Sequence, residues 1–187
     1  SAMTSGVAKS GSPALRLITG RPSRLRAFAF AVIASVAGRI PGSRAIGSAF
    51  PLEVESLPRV VAEPTHVPYI PASIEYFSAL GIPLVAGRSF SPSDRPGAPP
   101  VVIVSEAVAR VHGVRPEQLV GRTYLHSTGR DDKTSAEIVG VVRDVRLHGP
   151  ETPAGAQLYV PHAQRPAFGN AYVIIRTAGD PRDVIVA

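Results

Sequence analysis

The sequence contains no cysteine and no tryptophan, and only 6% of its 187 residues are aromatic. Without cysteine there is neither a disulfide framework nor a thiolate metal site, and an export destination stays open. Nucleic-acid surfaces interleave cations with stacking aromatics, so the scarcity of aromatics argues against a nucleic-acid partner. Apolar runs are short as well. The longest, Ala27 to Gly38, is bracketed by Arg26 and Arg39 and falls below the ~18 to 20 residues that cross a bilayer as a helix. It has the length of a signal-peptide apolar region, with Ser35-Val36-Ala37 as a small-residue cleavage site; it also reads as a packing helix of a folded domain.

Reactive constellations are missing too. The five histidines, His66, His112, His126, His148 and His162, never stand with a second ligand type at a metal-binding spacing such as HExxH, and read as surface or strand-end residues. No GxSxG elbow, P-loop or GxGxxG is present, so hydrolase, nucleotide-binding and Rossmann readings have no starting point. Asp131 and Asp132 are adjacent carboxylates, but they lie beside Arg130 and Lys133 on a polar tip and read as solvated. Glu106 and Arg110 stand four apart on an expected helix, an ion-pair spacing that contributes about 0.3 to 0.5 kcal/mol. Asp144, between Arg143 and Arg146, reads as a similar structural pairing. The expectation is therefore no catalytic residue, no cofactor-binding residue, no cofactor and no metal site.

What the sequence does have is 44% hydrophobic and 18% charged residues, with 19 prolines and 17 glycines. That is the composition of a folded domain made of many short elements joined by turns, and it excludes a long coiled coil. The net charge of +6 is not spread evenly. Lys9, Arg16, Arg21, Arg24, Arg26, Arg39, Arg44 and Arg59 face only Glu53 and Glu55 in the first 59 residues, and the remainder is balanced. All the excess is therefore N-terminal, as in a solvated or membrane-proximal basic segment. Ser1-Ala2-Met3 reads as a leader left by cloning.

Residues 1–22 show no periodicity and read as a flexible basic arm. Ser23 is a candidate N-cap for a helix over 24–38, with Leu25, Phe28, Val32 and Val36 on one face and Pro41-Gly42 as its stop. Residues 43–50 read as a strand. His66 to Pro71 is strand-like, with Pro68 and Pro71 confining it to a sheet edge. Ser73 is a candidate cap for a short helix over 74–80 that Gly81 ends. The turn-rich 91–100 leads into a buried strand over 101–104 and a helix over 105–112, with Val108 and Val111 inward. A hairpin follows, 121–127 and 136–147 around a tip at 128–133, then strands at 158–160 and 171–177 and a last helix from Asp180, cut off at Ala187. The order α, β, β, α, β, α, β, β, β, β, α lacks a βαβ rhythm and gives an α+β class.

These residues also resemble a known family. Glu75-Tyr76-Phe77 through Phe90, Asp94 through Glu106, Leu119-Val120-Gly121-Arg122, Glu137 through Val145, Leu158 through Gln164, and upstream Arg39 through Gly47 resemble, in the same order, segments of the MacB-like periplasmic core domain of MacB/FtsX-type ABC transporter permeases. The resemblance covers about residues 24–187. It implies a two-lobed α+β domain of mixed sheets and short helices with one lobe inserted in the other. The first, membrane-proximal lobe takes residues 23–70 and 162–187, and the inserted second lobe takes 71–161. It further implies a non-catalytic module at the periplasmic or extracellular face of the bacterial cytoplasmic membrane, part of an integral membrane protein. Its partners would be its own transmembrane helices and a cytoplasmic ATPase subunit or domain, with a periplasmic partner protein and a homodimer as further options. The chain departs from the family in a short linker at 51–65 and in stopping before the last helix and strand of the first lobe, which invites pairing between chains. A secreted ligand- or peptide-binding module, using the edge at His66 to Pro71 or a cleft between lobes, is the alternative; an enzyme is the third class.

In physical terms the quoted segments specify a fold. Tyr76 and Phe77 are core plugs, Gly81 is a left-handed cap, Gly87 allows a sharp turn, and Gly121 and Gly140 relieve crowding where strands twist or bulge.

Overall fold

The computed structural model describes residues 15–19, 31–37, 41, 49–60, 66–127, 133–147, 151–165 and 172–177. Ten strands are formed among them: β1 Leu15–Thr19, β2 Ala31–Ala37, β3 Ala49–Pro51, β4 His66–Ala72, β5 Leu84–Gly87, β6 Val101–Ser105, β7 Thr123–Ser127, β8 Lys133–Val142, β9 Leu158–Pro161 and β10 Tyr172–Thr177. The helices are short: α1 Tyr76–Leu80, α2 Glu106–His112 and one 3-10 turn at Pro116–Gln118. This is a mixed sheet with few short helices, the α+β class expected.

Six of the strands close on themselves. β4 pairs antiparallel with β3 and parallel with β9; β9 pairs antiparallel with β6, β6 parallel with β8, and β8 antiparallel with β7. The chain just after β3 then meets β7 through the bridge Val54↔Tyr124, flanked by Glu55 N–H to Thr123 O and Leu125 N–H to Glu53 O, both 2.9 Å. The circuit β3-β4-β9-β6-β8-β7 is a small barrel. Closure leaves its strands no free edge along those ladders.

Alternation along the strands sorts side chains into the barrel interior and its outside. Leu52, Val54, Val67, Val102, Val104, Tyr124, Ala136, Ile138, Leu158 and Val160 form the interior cluster, and α2 lays Val108 and Val111 onto it. The odd partners Val101, Ile103 and Tyr159 face outward into a second cluster with Ile70, Tyr76, Phe77 and Phe90. There the Phe77 ring stands edge-on to Tyr159, centroids 5.0 Å apart, with Tyr76 5.7 Å and Phe90 5.9 Å from their neighbours. The two expected core plugs thus bury α1 against β9.

Of the other four strands, β5 pairs antiparallel with β8 and three form a ribbon, β1-β10-β2, paired antiparallel along its length. Among the described residues it joins the barrel at one partner pair, Ala37↔Ala72, between β2 and β4. Helix α1 lies across the junction: Tyr172 and Ile174 of β10 share its aromatic cluster, and Arg176 donates to Ser78 O at 3.1 Å.

Four expectations are corrected. Residues 31–37, expected within a helix, form strand β2; the run carries β-branched Val32, Ile33 and Val36, and a six-residue partner in β10 supplies a ladder that an isolated helix face lacks. Leu15–Thr19, inside the expected arm, pairs with β10 as β1. His66–Ala72 is an interior strand instead of an edge: residues 66–68 pair with β3, 69–72 with β9, and Ala72 also with β2. Among the described residues Pro68 pairs only with β3 and Pro71 only with β9, so neither proline is asked for ladder hydrogen bonds on both sides. Helix α1 starts at Tyr76, with Glu75 at the N-cap position; the Ser73 carbonyl accepts the Tyr76 N–H and its hydroxyl bonds the Glu75 carboxylate at 3.1 Å. The expected strand over 43–48, the hairpin tip at 128–132 and the last helix lie outside the described residues.

Candidate functional site

A concavity lies at one mouth of the barrel, a cavity of about 270 Å³. Five barrel strands each contribute to it: Tyr69 from β4, Val160 from β9, Val101 and Val102 from β6, Ala136 from β8 and Tyr124 from β7. The turn-rich segment before β6 forms one lip through Pro96, Gly97, Ala98 and Pro100, and Gln164 with Arg165, just past β9, forms the other.

Each lip is fastened. Asp94 is buried to 6% exposure and receives both Arg88 guanidinium nitrogens at 2.8 and 2.9 Å and the Ser91 N–H at 2.8 Å. Burial alone would raise the Asp94 pKa, but the Arg88 hydrogen bonds, the Ser91 amide and the Arg88 charge together hold it below the usual 3.8. Ala98 N–H donates to Arg95 O at 3.1 Å, a tight turn that Gly97 completes at φ 82°. Gln164 then ties this lip to the other side: its Oε1 accepts the Val101 N–H at 3.3 Å and its Nε2 donates to Pro99 O at 3.0 Å.

The interior of the mouth is apolar apart from two phenols. Tyr124 donates to Pro51 O at 2.9 Å, across the seam that closes the barrel, and burial pushes its pKa far above 10.0. Burial also raises the Tyr69 pKa, and the Arg165 charge opposes that rise, which places the guanidinium within electrostatic reach of the phenol. Phe50 stands edge-on to the Tyr69 ring at 4.8 Å. Among the described residues, Arg165 is the one charged side chain in the lining, and no carboxylate lines it.

The residues weighed from the sequence fall elsewhere. His112 is not a surface residue: it is 4% exposed at the end of α2, where Nδ1 lies 3.0 Å from Pro58 O and Nε2 has no partner among the described residues. His66 is exposed and His162 half-buried; the side chains of His126 and His148, and the whole of Asp131 and Asp132, lie outside the described residues. Among the described residues no group of His, Asp and Glu is arranged to hold a metal ion. Glu106 and Arg110 do not pair with each other. Arg110 reaches Asp144 at 2.6 Å, Glu106 faces Arg143 at 3.8 Å, and the Asp144 carboxylate also accepts the Ala107 N–H at 2.8 Å, capping α2 from the segment after β8. Ser105 stands at the N-cap position, but its hydroxyl accepts from Gln157 N–H at 3.0 Å, in a buried chain that continues from Gln157 Oε1 to the Tyr159 hydroxyl at 2.6 Å.

Sequence reasoning missed the cavity. Its lining comes from six separated stretches, and none of Tyr69, Tyr124, Gln164 or Arg165 sits in a local pattern that marks a site. No described helix is long and apolar enough to cross a membrane.

Comparison with known proteins gives one family. A family profile described as MacB-like periplasmic core domain matches residues 3–185. No curated protein matches in sequence. Among solved structures, a domain of a putative permease protein from Porphyromonas gingivalis is similar in fold, with TM-score 0.52 and 15% identity over 83% of this chain. This chain spans 61% of that one. The periplasmic region of MacB from Actinobacillus actinomycetemcomitans aligns at TM-score 0.48 and 18% identity, over 83% of this chain and 79% of that one. The extracellular domain of the noncanonic ABC-type transporter YknZ from Gram-positive bacteria aligns at TM-score 0.43 and 14% identity, over 80% and 86%.

Proposed function

This chain belongs to the MacB-like periplasmic core domain family, and from that premise we propose that it is the extracytoplasmic domain of an ABC transporter permease subunit, itself non-catalytic, that couples the motion of membrane helices to the handling of a substrate or partner protein. The observation that carries this reading is the junction between barrel and ribbon. Each is held by continuous ladders, whereas the bridge Ala37↔Ala72 and the contacts of α1 join them. Among the described residues few backbone hydrogen bonds cross this seam, so the two bodies would rock against each other by sliding the apolar contacts of α1 with Tyr172 and Ile174.

The ribbon draws β1 and β2 from the N-terminal part of the chain and β10 from the C-terminal part, the two parts nearest the proposed membrane helices. The division into a first lobe of 23–70 with 162–187 and a second lobe of 71–161 is retained in this proposal, except that β3 and residues 66–70 of β4, within the bounds of the first lobe, pair into the barrel. ATP hydrolysis in a cytoplasmic ATPase subunit or domain would move the membrane helices, the ribbon would follow, and the barrel would carry the movement outward to a periplasmic partner protein. The basic residues of the first 22 positions would lie close to anionic headgroups.

The test is the whole natural protein in its own cells. Proteolysis from outside is expected to cut this segment in a membrane-bound protein, and an ATPase is expected to co-purify with it. A protein released in soluble form, with no membrane anchor, would contradict the reading. That result favours the second one, a secreted ligand-binding module, which the cavity at the barrel mouth supports.

A further inference from the structure

The cavity has features that a mechanical relay does not require. Its wall is apolar at Val102, Ala136 and Val160, and solvent meets it beside two lips that the Gln164 hydrogen bonds tie to each other. Apolar clefts with few polar groups at one end are the usual form of small-ligand sites, and barrel mouths are a frequent place for them. At about 270 Å³ the space suits a small organic molecule and is too narrow for a helix. Among the described residues its charge is one-sided: Arg165 is the single charged lining residue, it makes no ion pair, and Glu53, which acts on the Tyr124 phenol, does not line the space.

We propose that the barrel mouth is a binding site for a small monoanionic amphiphile, a carboxylate with an apolar tail, whose head pairs with Arg165 beside the Tyr69 phenol and whose tail lies over Val102, Ala136 and Val160. The guanidinium offers two parallel donors to a carboxylate, a match that neither an alcohol nor an ammonium head reproduces. The tail contributes by removing apolar surface from water on both partners. Gln164 belongs to the same arrangement. By holding the carbonyls of Ala98 and Pro99 and the Val101 amide it keeps the lip in place, so the site is formed before the ligand arrives.

This inference goes beyond the coupling role and does not depend on it, since binding is read on the 187-residue chain alone, without membrane or nucleotide. The probes are decanoate, decanol and decyltrimethylammonium, titrated into isotopically labelled protein at neutral pH and followed by methyl and amide chemical shifts. Decanoate is expected to saturate with shifts centred on Val102, Ala136 and Val160, and to bind about fivefold or more tightly than decanol, the effect of one partly exposed charge pair. Arg165→Gln is expected to remove that preference while leaving decanol binding as it was. Ala98→Trp, which fills the lip from an outer loop, is expected to weaken decanoate and decanol alike. Equal affinity for all three probes overturns the proposal, as do shifts confined to other surfaces, no saturation below the micellar concentration, or a preference that survives Arg165→Gln.

Discussion

Gly87 and Gly140 stand against each other where β5 crosses β8, and neither has room for a methyl group. A Cβ on Gly140 would lie 2.2 Å from Arg88 O, and one on Gly87, at φ 73°, would lie 2.3 Å from Val139 O. Backbone atoms cannot swing aside as a flexible side chain does, so Gly140→Ala and Gly87→Ala should each destabilise by about 1 to 3 kcal/mol. Gly155→Ala, with nothing within 4 Å of the added carbon, should stay within about 0.5 kcal/mol of the parent. Urea unfolding of the three variants checks this, and equal midpoints would show that the close approach is not a constraint. A register shift lies beside Gly140, where Val102 pairs with Ile138 and Ile103 with Gly140, so Val139 is the extra residue of a bulge.

Asp94 provides the second test at this scale. Its folded pKa is depressed, so its contribution is fully present above the unfolded value of about 3.8 and is lost as pH falls through the lower folded value. Asp94→Asn should cost about 1 to 3 kcal/mol at neutral pH, since Arg88 and the Ser91 amide lose a charged acceptor. The gap between parent and variant should close as the pH drops well below 4, the acid limb at which the parent loses its advantage. Denaturant melts at a series of pH values give the answer; a gap that stays constant into acid would mean the carboxylate charge is not what holds the lip.

Among elements, helix α2 depends on a residue far away in sequence. Asp144→Ala removes both the acceptor for Ala107 N–H and the partner of Arg110, and should cost about 1 to 2 kcal/mol, the range of a lost N-cap. Arg110→Ala removes only an exposed pair and should cost less than about 1 kcal/mol. Equal losses in thermal or urea melts would assign the effect to the ion pair instead of the cap. The sequence suggested a different arrangement, with Glu106 and Arg110 paired along the helix. Spacing reports which groups on one helix are neighbours, but not whether a carboxylate from another segment offers a better geometry.

The same distinction explains which elements could be read. The strand at 101–105, helix α2 with its inward Val108 and Val111, the hairpin of β7 and β8, α1 with its Gly81 cap, β9 and β10 each carry a local signature. The run at 31–37 does not, because apolar residues at helical spacing there are equally a β-branched strand when a partner ladder exists. In β4 the prolines argued for an edge, and only the piecewise pairing with β3, β9 and β2 shows how an interior strand accommodates them. The barrel mouth was invisible in the sequence for a related reason: its lining residues are brought together by closure of the ring, and closure rests on the single bridge Val54↔Tyr124 and its flanking hydrogen bonds.

For the whole molecule, the central claim is that a ribbon and a barrel move as two bodies across the seam at Ala37 and Ala72. This chain contains no cysteine, so cysteines introduced into it are the only ones it contributes once any others in the permease and ATPase are replaced. Spin labels at Val173→Cys on β10 and Glu117→Cys on the 3-10 turn place one probe on each body, and the distance between them in the membrane-embedded permease with its ATPase reports the motion. The account predicts that trapping the ATPase in its ATP-bound state shifts this distance distribution, while a pair placed wholly within the barrel, Glu117→Cys with Ser135→Cys, stays unchanged. Identical ribbon-to-barrel distributions in the nucleotide-free and trapped states would contradict it.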